Sequence, residues 1–435
     1  MRRLIFAALV CLIPLTAVPY GTFEAWWKAA FVCAVFGICI LAIIEAAISG
    51  STYVGPWSIL LPMLALAAFA SFQTIPLGLS NDPALAGVPP WDAISADPYQ
   101  TRFFVLQILA LTVCLALFYR YANEERRMSI LIHVVIAVAV ASAIFGIVRQ
   151  ATQHQEIGFV LPLLKQNQGY GQFLNKNHFA YLMEMAFGLG IGVILARGVR
   201  MDRILIYIAL LFPIWIALVL SNSRGGILAM FTQVLIATLW ILRPRVVFRT
   251  AVLTGVVSAV LLGTLWVGGD RLVTNIESAG THFVGDDTTR DGASRNEIWR
   301  ATLKMFAAHP IAGAGLGGYW IAITAFHDAS GSLTPQEAHN EYLELLSSGG
   351  LIGFLIGIWF AVNVTRVART NLKHDHGQLR ALRFGALLGI AGVVVHSLVD
   401  FGLHMMSNAL IFVVLIAIAT ASLNKKVIDP RLQQQ

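Results

Sequence analysis

Charged residues are scarce in this chain of 435 residues. Asp, Glu, Lys and Arg make up 12% of the sequence, against roughly 25% in a typical soluble domain. Hydrophobic residues make up 57%, and apolar runs of about 20 residues, the length that a helix needs to cross a bilayer, recur along the chain. The shortage of charge excludes an ordinary soluble domain and predicts an integral membrane protein.

Acidic residues are scarcer than basic ones, and the formal net charge is +7. Lys and Arg collect in short segments between the apolar runs, which is how membrane proteins fix their orientation. This distribution excludes a nucleic-acid-binding protein. Cysteine is also rare. The four cysteines lie in apolar runs without metal-ligand spacing, so neither a disulfide framework nor a zinc site is predicted: Cys11, Cys33, Cys39 and Cys114.

Twelve apolar segments predict an all-α, polytopic membrane fold. The predicted spans are 4–19, 27–48, 57–74, 103–121, 129–148, 178–196, 204–221, 226–242, 250–268, 350–367, 381–398 and 405–422. If the N-terminus is cytoplasmic, the basic clusters all fall on the cytoplasmic side. Both termini are therefore predicted to be cytoplasmic, with the first span an uncleaved helix because no clear signal-peptide cleavage site follows it.

The chain divides into three parts by hydropathy. Residues 1–268 hold nine spans, 269–349 form an ordered helical cap outside the cytoplasm, and 350–435 hold the last three spans and a short tail. Within the cap, capping boxes predict helices that begin after Ser294 and after Thr334. The glycine-rich stretch "AGAGLGGYW" (312–320) is predicted to be a turn, because it lacks the flanking strand and helix of a phosphate-binding loop.

Polar residues gather at the predicted outer ends of the spans. In "SNSRGG", Arg224 lies in a tight turn between two spans, where its planar guanidinium suits a phosphate oxygen; a lipid headgroup or a carboxylate is the alternative partner. In "NKNH", Asn177 and His178 stand beside Lys176 where a helix begins, which favours an anion site or an Asn-rich cap. Arg295 opens the first cap helix against the helix dipole, so a bound anion or an acidic partner is expected.

His339 lies in the stretch "EAHNEYLELLSSGGLIG". If the helix starts after Thr334, Glu337, Glu341 and Glu344 share one face, and His339 is displaced from Glu337 by about 200°. The imidazole must then face another element. At a water boundary it suits removal of a proton from a sugar hydroxyl, and a structural histidine is the alternative.

Two further polar sites have open interpretations. Asp400 and His404 lie on the same predicted outer side and either orient His339 or an arginine, or form a structural pair. Asp286, Asp287 and Asp291 offer oxygens for a divalent cation, but their Thr- and Gly-rich surroundings favour a solvated loop, and no metal is predicted.

Four segments together resemble the bacterial O-antigen ligase and polymerase superfamily. The signature is His339-Asn340 with Gly350 and Gly353 following. "GQFLNKNHFAYL" resembles the family's Asn-rich segment, "SNSRGG" its Ser-Arg-Gly turn, and "RNEIWRATLKMFAAHPIAGAGLGGY" the stretch before the signature. The resemblance covers about residues 165–405.

The resemblance implies an inner-membrane glycosyltransferase of a Gram-negative bacterium, with the lipid-donor (GT-C-like) architecture and a periplasmic active site. Such enzymes move a glycan from undecaprenyl diphosphate to an acceptor hydroxyl without a nucleotide sugar, a cofactor or a metal. The matching positions are Arg224, Arg295 and His339. Ligases use the lipid A core as acceptor, and polymerases extend the chain itself.

The sequence therefore predicts an O-antigen ligase, with a repeat-unit polymerase and a glycolipid transporter as alternatives. Its partners are the lipid-linked glycan donor, the lipid A core and membrane lipids. His339 is the predicted base. The predicted diphosphate-binding residues are Arg224, Arg295, Lys176 and Arg149. The predicted orienting residues are Asn340, Asn177, His178, Arg300, Asp400 and His404.

Overall fold

The computed structural model describes residues 1–50, 53–77, 93–154, 158–166, 168–196, 198, 200–241, 295–327 and 335–422. These residues form α-helices and short 3-10 turns with no β-strand among them, which confirms the predicted all-α class. The α-helices are α1 (Arg2–Ala17), α2 (Ala25–Ser49), α3 (Trp57–Gln73), α4 (Pro98–Tyr121), α5 (Glu125–Thr152), α6 (Lys176–Leu195), α7 (Ile204–Leu220), α8 (Arg224–Ile241), α9 (Arg295–Ala308), α10 (Tyr319–Ala322), α11 (Glu341–His374), α12 (Gly377–His396) and α13 (Met406–Thr420).

Several helices can cross a membrane. Among the described helices, six are long and apolar enough to do so, namely α2, α4, α5, α6, α11 and α12, and α3, α7, α8 and α13 are shorter apolar helices. The chain is thus a multi-pass helical membrane protein. The predicted span at 250–268 lies outside the described residues, and the count of twelve and the cytoplasmic termini remain predictions.

Helices α6 and α12 form the centre of the bundle. Glycines spaced four residues apart line both helices at their contact, so that the two backbones approach closely. A Cβ atom built on Gly192 would lie 2.4 Å from Cα of Gly385, and one on Gly188 would lie 2.8 Å from the backbone nitrogen of Gly389. Such small-residue contacts are typical of helix packing in membranes. Because the helices run antiparallel, this contact brings the start of α6 to the end of α12.

Helix α11 has a kink at Gly350, where φ is +59° and ψ is −165°. The glycine-rich turn docks into this kink, with the backbone amides of Ala314 and Gly315 donating to the carbonyls of Ser347 and Ser348 over 3.1 and 2.9 Å. The predicted turn is thereby confirmed. Its role is to satisfy the carbonyls that the kink releases from the helical pattern.

One predicted helix start is wrong and the other stays a prediction. Helix α9 is described from Arg295 onwards, and the predicted cap Ser294 lies outside the described residues. Helix α11 begins at Glu341 instead of after Thr334, because the side chain of Asn340 caps it by accepting hydrogen bonds from the backbone amides of Tyr342 and Leu343. His339 adopts the left-handed region with φ of +51°, which prevents the helix from extending backwards.

The kink supplies a matched pair of variants. Gly350→Ala should lower the free energy of unfolding by about 2–4 kcal/mol, because φ is positive and the new methyl would lie 2.3 Å from the carbonyl oxygen of Ile311. Gly353→Ala should be mild, because its nearest neighbour is 3.7 Å away. Unfolding in detergent, followed by circular dichroism, measures both. Equal losses in the two variants would contradict the docking role of Gly350.

Candidate functional site

A buried carboxylate stands at the centre of the candidate site. Asp400 lies in the turn after α12 and is 0% exposed. The side-chain amide of Asn177 donates to its Oδ2, the guanidinium of Arg295 donates to the same oxygen at 3.3 Å, and the backbone amide of Phe401 donates to Oδ1 at 2.9 Å. The acidic partner expected for Arg295 is therefore Asp400.

Two imidazoles face the other oxygen of this carboxylate. Nδ1 of His339 is 3.8 Å from Oδ1 of Asp400, and Nε2 of His178 is 4.0 Å from it. Both rings meet the ring of Phe401 edge-on, with centroids 4.8 Å apart in each case. The His339 side chain is 32% exposed and that of His178 only 6%. Of these two imidazoles, His339 is the one that a substrate can reach.

The charge of Asp400 follows from its neighbours. Burial alone would raise the pKa of its carboxyl, but the imidazoles of His339 and His178 hold that pKa well below its ordinary value. Asp400 is therefore ionised at neutral pH. A carboxylate facing Nδ1 favours the tautomer with the proton on that nitrogen, which leaves Nε2 of His339 as a proton acceptor.

The backbone around His339 is held by several elements. Its left-handed φ is uncommon for a residue with a side chain. The indole of Trp299 on α9 donates to the carbonyl of Ala338 at 3.0 Å, and the side chain of Asn340 donates to the carbonyl of Leu398 at 2.9 Å. Such contacts on both sides are what maintain an unfavourable backbone conformation at a functional site.

His404 belongs to a separate cluster. Its ring nitrogens lie 3.3 Å from Glu337, 3.5 Å from Glu341 and 3.5 Å from Glu344. The three glutamates lie close together as predicted, but Glu337 belongs to the segment before α11 and not to the helix itself. Burial lowers the pKa of His404, and the three carboxylates outweigh burial and raise that pKa well above its usual value.

The same cluster holds side chains of the types that bind metal ions. The ligand atoms of Glu337, Glu344 and His404 lie within 4.8 Å of one another. A protonated His404 among carboxylates accounts for this arrangement as an ion-pair cluster. The aspartates at 286, 287 and 291 lie outside the described residues.

The predicted cations occupy different places. Lys176 is the first residue of α6 and Arg224 the first of α8, and both are exposed. Arg300 is exposed on α9. Arg149 is buried at the end of α5, where its guanidinium donates to protein oxygens instead of pointing to Asp400. Its acceptors are the carbonyls of Gly171, Lys165 and Gln168 and the side chain of Gln153.

Sequence reasoning missed a second buried pair. Nδ1 of His396 lies 2.8 Å from the carboxylate of Glu184, both side chains are at most 1% exposed, and Tyr181 stacks on the imidazole at 4.1 Å. Gly225, which follows Arg224, packs against the His396 imidazole, because a Cβ built on Gly225 would lie 2.3 Å from Cδ2 of His396. Ionisable residues inside apolar runs were the available signal, because they are costly in a membrane and rarely kept without a role.

The fold and these contacts define a multi-pass helical membrane protein with a polar, partly exposed site where several helices end. A family model described as O-antigen ligase matches residues 208–358, which hold Arg224, Arg295 and His339. This match confirms the resemblance to the O-antigen ligase superfamily, whose members are membrane glycosyltransferase-like enzymes. A comparison with curated proteins gave no match.

Gly225 gives a test of the packing beneath Arg224. Gly225→Ala should destabilise the protein by about 1–3 kcal/mol, because Glu184 and Tyr181 hold the His396 ring where the methyl must go. Gly37→Ala is the control: nothing lies within 4 Å of that position on α2, so removing a helical glycine there should stabilise by up to about 1 kcal/mol. Thermal unfolding in detergent compares the two. If Gly225→Ala leaves the unfolding temperature unchanged, the His396 ring can move aside to make room for the methyl group.

The glutamate cluster predicts a pH dependence of stability. Because folding raises the pKa of His404, its stabilising effect is complete below the unfolded value of about 6.5 and is lost as pH rises through the folded value. The destabilisation caused by His404→Gln should therefore shrink from pH 6.5 upwards. Denaturant titrations at several pH values measure it, with exposed His376→Gln as control. A pH-independent difference would contradict a charged His404.

Proposed function

We propose that the chain is an O-antigen ligase, which transfers a glycan from undecaprenyl diphosphate to a sugar hydroxyl of the lipid A core. The observation that carries the proposal is the pairing of a half-exposed His339 with buried Asp400, whose other oxygen is bound by Arg295. A base and a cation thus meet at one carboxylate; His339 and Arg295 lie within the segment that matches the family, and Asp400 lies after it.

The reaction places a distinct demand on each group. Nε2 of His339 takes the proton of the acceptor hydroxyl while the oxygen attacks the anomeric carbon. Asp400 keeps the imidazole oriented and stabilises its positive charge. The bond from the anomeric carbon to the diphosphate oxygen breaks on the opposite face, so the configuration inverts and the diphosphate leaves as an anion. No metal is required in this scheme, because fixed cations stabilise the leaving group.

Two helix starts support the anion site. Lys176 and Arg224 are the first residues of α6 and α8, and Arg295 is the first described residue of α9. A cation in the first turn is disfavoured by the helix dipole, by about 0.3–1 kcal/mol each. A bound diphosphate reverses this sign, because the backbone amides and the cations then attract the same anion. Arg149 is left out of this set because its guanidinium already binds protein oxygens.

The proposed setting is the inner membrane, with both termini cytoplasmic and the site on the periplasmic face, as the one-sided basic clusters favour. Residues 1–268 and 350–435 supply the spans, and 269–349 the cap. A repeat-unit polymerase would use the same residues, so the acceptor decides between them. Purified protein is incubated with lipid-diphosphate glycan and either the lipid A core or a second donor molecule.

In this assay, His339→Ala should slow transfer by about 10²–10⁴, the usual contribution of a positioned base, and leave donor binding nearly intact. Asp400→Asn keeps the size of the side chain and removes its charge, so it should slow transfer as well. Each variant must first show an unfolding transition like that of the parent protein. Near-normal turnover by a well-folded His339→Ala protein would refute the base assignment.

Arg224 should behave differently from His339. Arg224→Ala removes a charge-assisted contact to the diphosphate, so donor affinity should fall and the rate should drop by about 10²–10³. Arg224→Lys keeps the charge without the planar fork and should recover only part of the activity. The control is Arg200→Ala, whose arginine side chain is 79% exposed and pairs with the exposed Asp202. Loss of rate with unchanged donor affinity would argue against a diphosphate contact.

A further inference from the structure

A polar cleft lies at the end of α5, apart from the contacts of Asp400. Its volume is about 130 Å³. It is lined almost entirely by polar side chains and glycines: Gly146, Arg149, Gln150, Gln153, His154, Gln166, Gln168, Gly169, Tyr170 and Gly171. Neither the proposed base nor the proposed diphosphate site uses it.

The cleft has a rigid frame built on Arg149. The guanidinium of this buried residue donates to the backbone carbonyls of Lys165, Gln168 and Gly171 over 2.6 to 2.8 Å. The side chain of Gln153 accepts from the same guanidinium and donates to the carbonyl of Leu164 at 2.7 Å. These bonds fix the segment after α5 against the helix, so the cleft is preformed.

The free groups in the cleft are the amides of three glutamines and the imidazole of His154. The side chains of Gln150, Gln166 and Gln168 make no hydrogen bond within the described part of the chain, and no carboxylate is among the residues that line the cleft there. An amide both donates and accepts, as a hydroxyl does. A phosphate would need a permanent cation, and Arg149, whose guanidinium is already engaged, is the one Lys or Arg among the described lining residues; the imidazole of His154 can also exchange hydrogen bonds with a hydroxyl. The lining therefore suits an uncharged, hydroxyl-rich ligand.

The cleft is linked to the candidate site by α6. The ring of Tyr170 packs on that of Phe179 with centroids 4.8 Å apart. Phe179 directly follows His178, which faces Asp400. Gly171 also lies against Phe179, where a Cβ would be 2.7 Å from the ring. The cleft and the start of α6 thus share one end of the bundle.

We propose that this cleft is a glycan subsite that binds a neutral sugar residue through Gln150, Gln166 and Gln168. The identity of the glycan rests on the proposed function, whereas the binding itself does not require transfer. Two sources supply such sugars: the glycan of the donor lipid and the oligosaccharide of the acceptor core.

The test is direct binding without lipid or transfer. Purified full-length protein is titrated with two probes, the oligosaccharide released from the donor lipid and the delipidated core oligosaccharide, and binding is followed by ligand-observed NMR. One probe should bind, and Gln166→Ala combined with Gln168→Ala should weaken its affinity by about tenfold or more, since each lost hydrogen bond is worth roughly 1 kcal/mol. Gln378→Ala is the control, because that exposed glutamine lies at the far end of α12.

The outcomes separate this proposal from the proposed function. No binding of either probe, or binding that the double variant leaves unchanged while its unfolding matches the parent, overturns the subsite. Binding that the double variant weakens supports it, and the probe that binds identifies the source. If the parent protein transfers glycan but the double variant binds the probe with full affinity, the subsite is overturned and the ligase proposal stands. If the parent protein binds the sugar but transfers no glycan, the ligase proposal is overturned and the subsite stands.

Discussion

A single buried negative charge organises the site. Burying a carboxylate is costly unless charge and hydrogen bonds compensate for it. Asp400 obtains this compensation from Asn177 on α6, Arg295 on α9 and the imidazoles that face it. The charge therefore draws together segments that are more than 200 residues apart in sequence. Removing it would leave α9 and the His339 segment without their common electrostatic partner.

The ring of Phe401 lies between two charged clusters, one around the Asp400 carboxylate and one around the His404 imidazole. His339 and His404 both meet its edge, at centroid distances of 4.8 and 5.6 Å. His404 has its own three carboxylates, so its positive charge is balanced locally and does not compete for Asp400. The two histidines thus have different partners: His339 faces Asp400, and His404 forms ion pairs with three glutamates before α13.

Hydropathy and motifs predicted the helical class and much of the site, because the apolar spans and the polar residues at their ends are visible in short stretches of sequence. Asn177, Arg295, His339 and Asp400 were all singled out, and the structure brings them together. The start of α11 was predicted wrongly because Thr334 and Asn340 offer competing caps, and only the second is confirmed. The setting of Arg149 and the Glu184–His396 pair were not foreseen, because their partners are set by tertiary packing that no local pattern records.

The glycine contact between α6 and α12 has a mechanical consequence. At Gly192 and Gly385 the backbones of the two helices touch directly, so a sliding movement there cannot be absorbed by rotamer changes of these two residues. The walls of the site that come from these helices therefore keep a fixed separation.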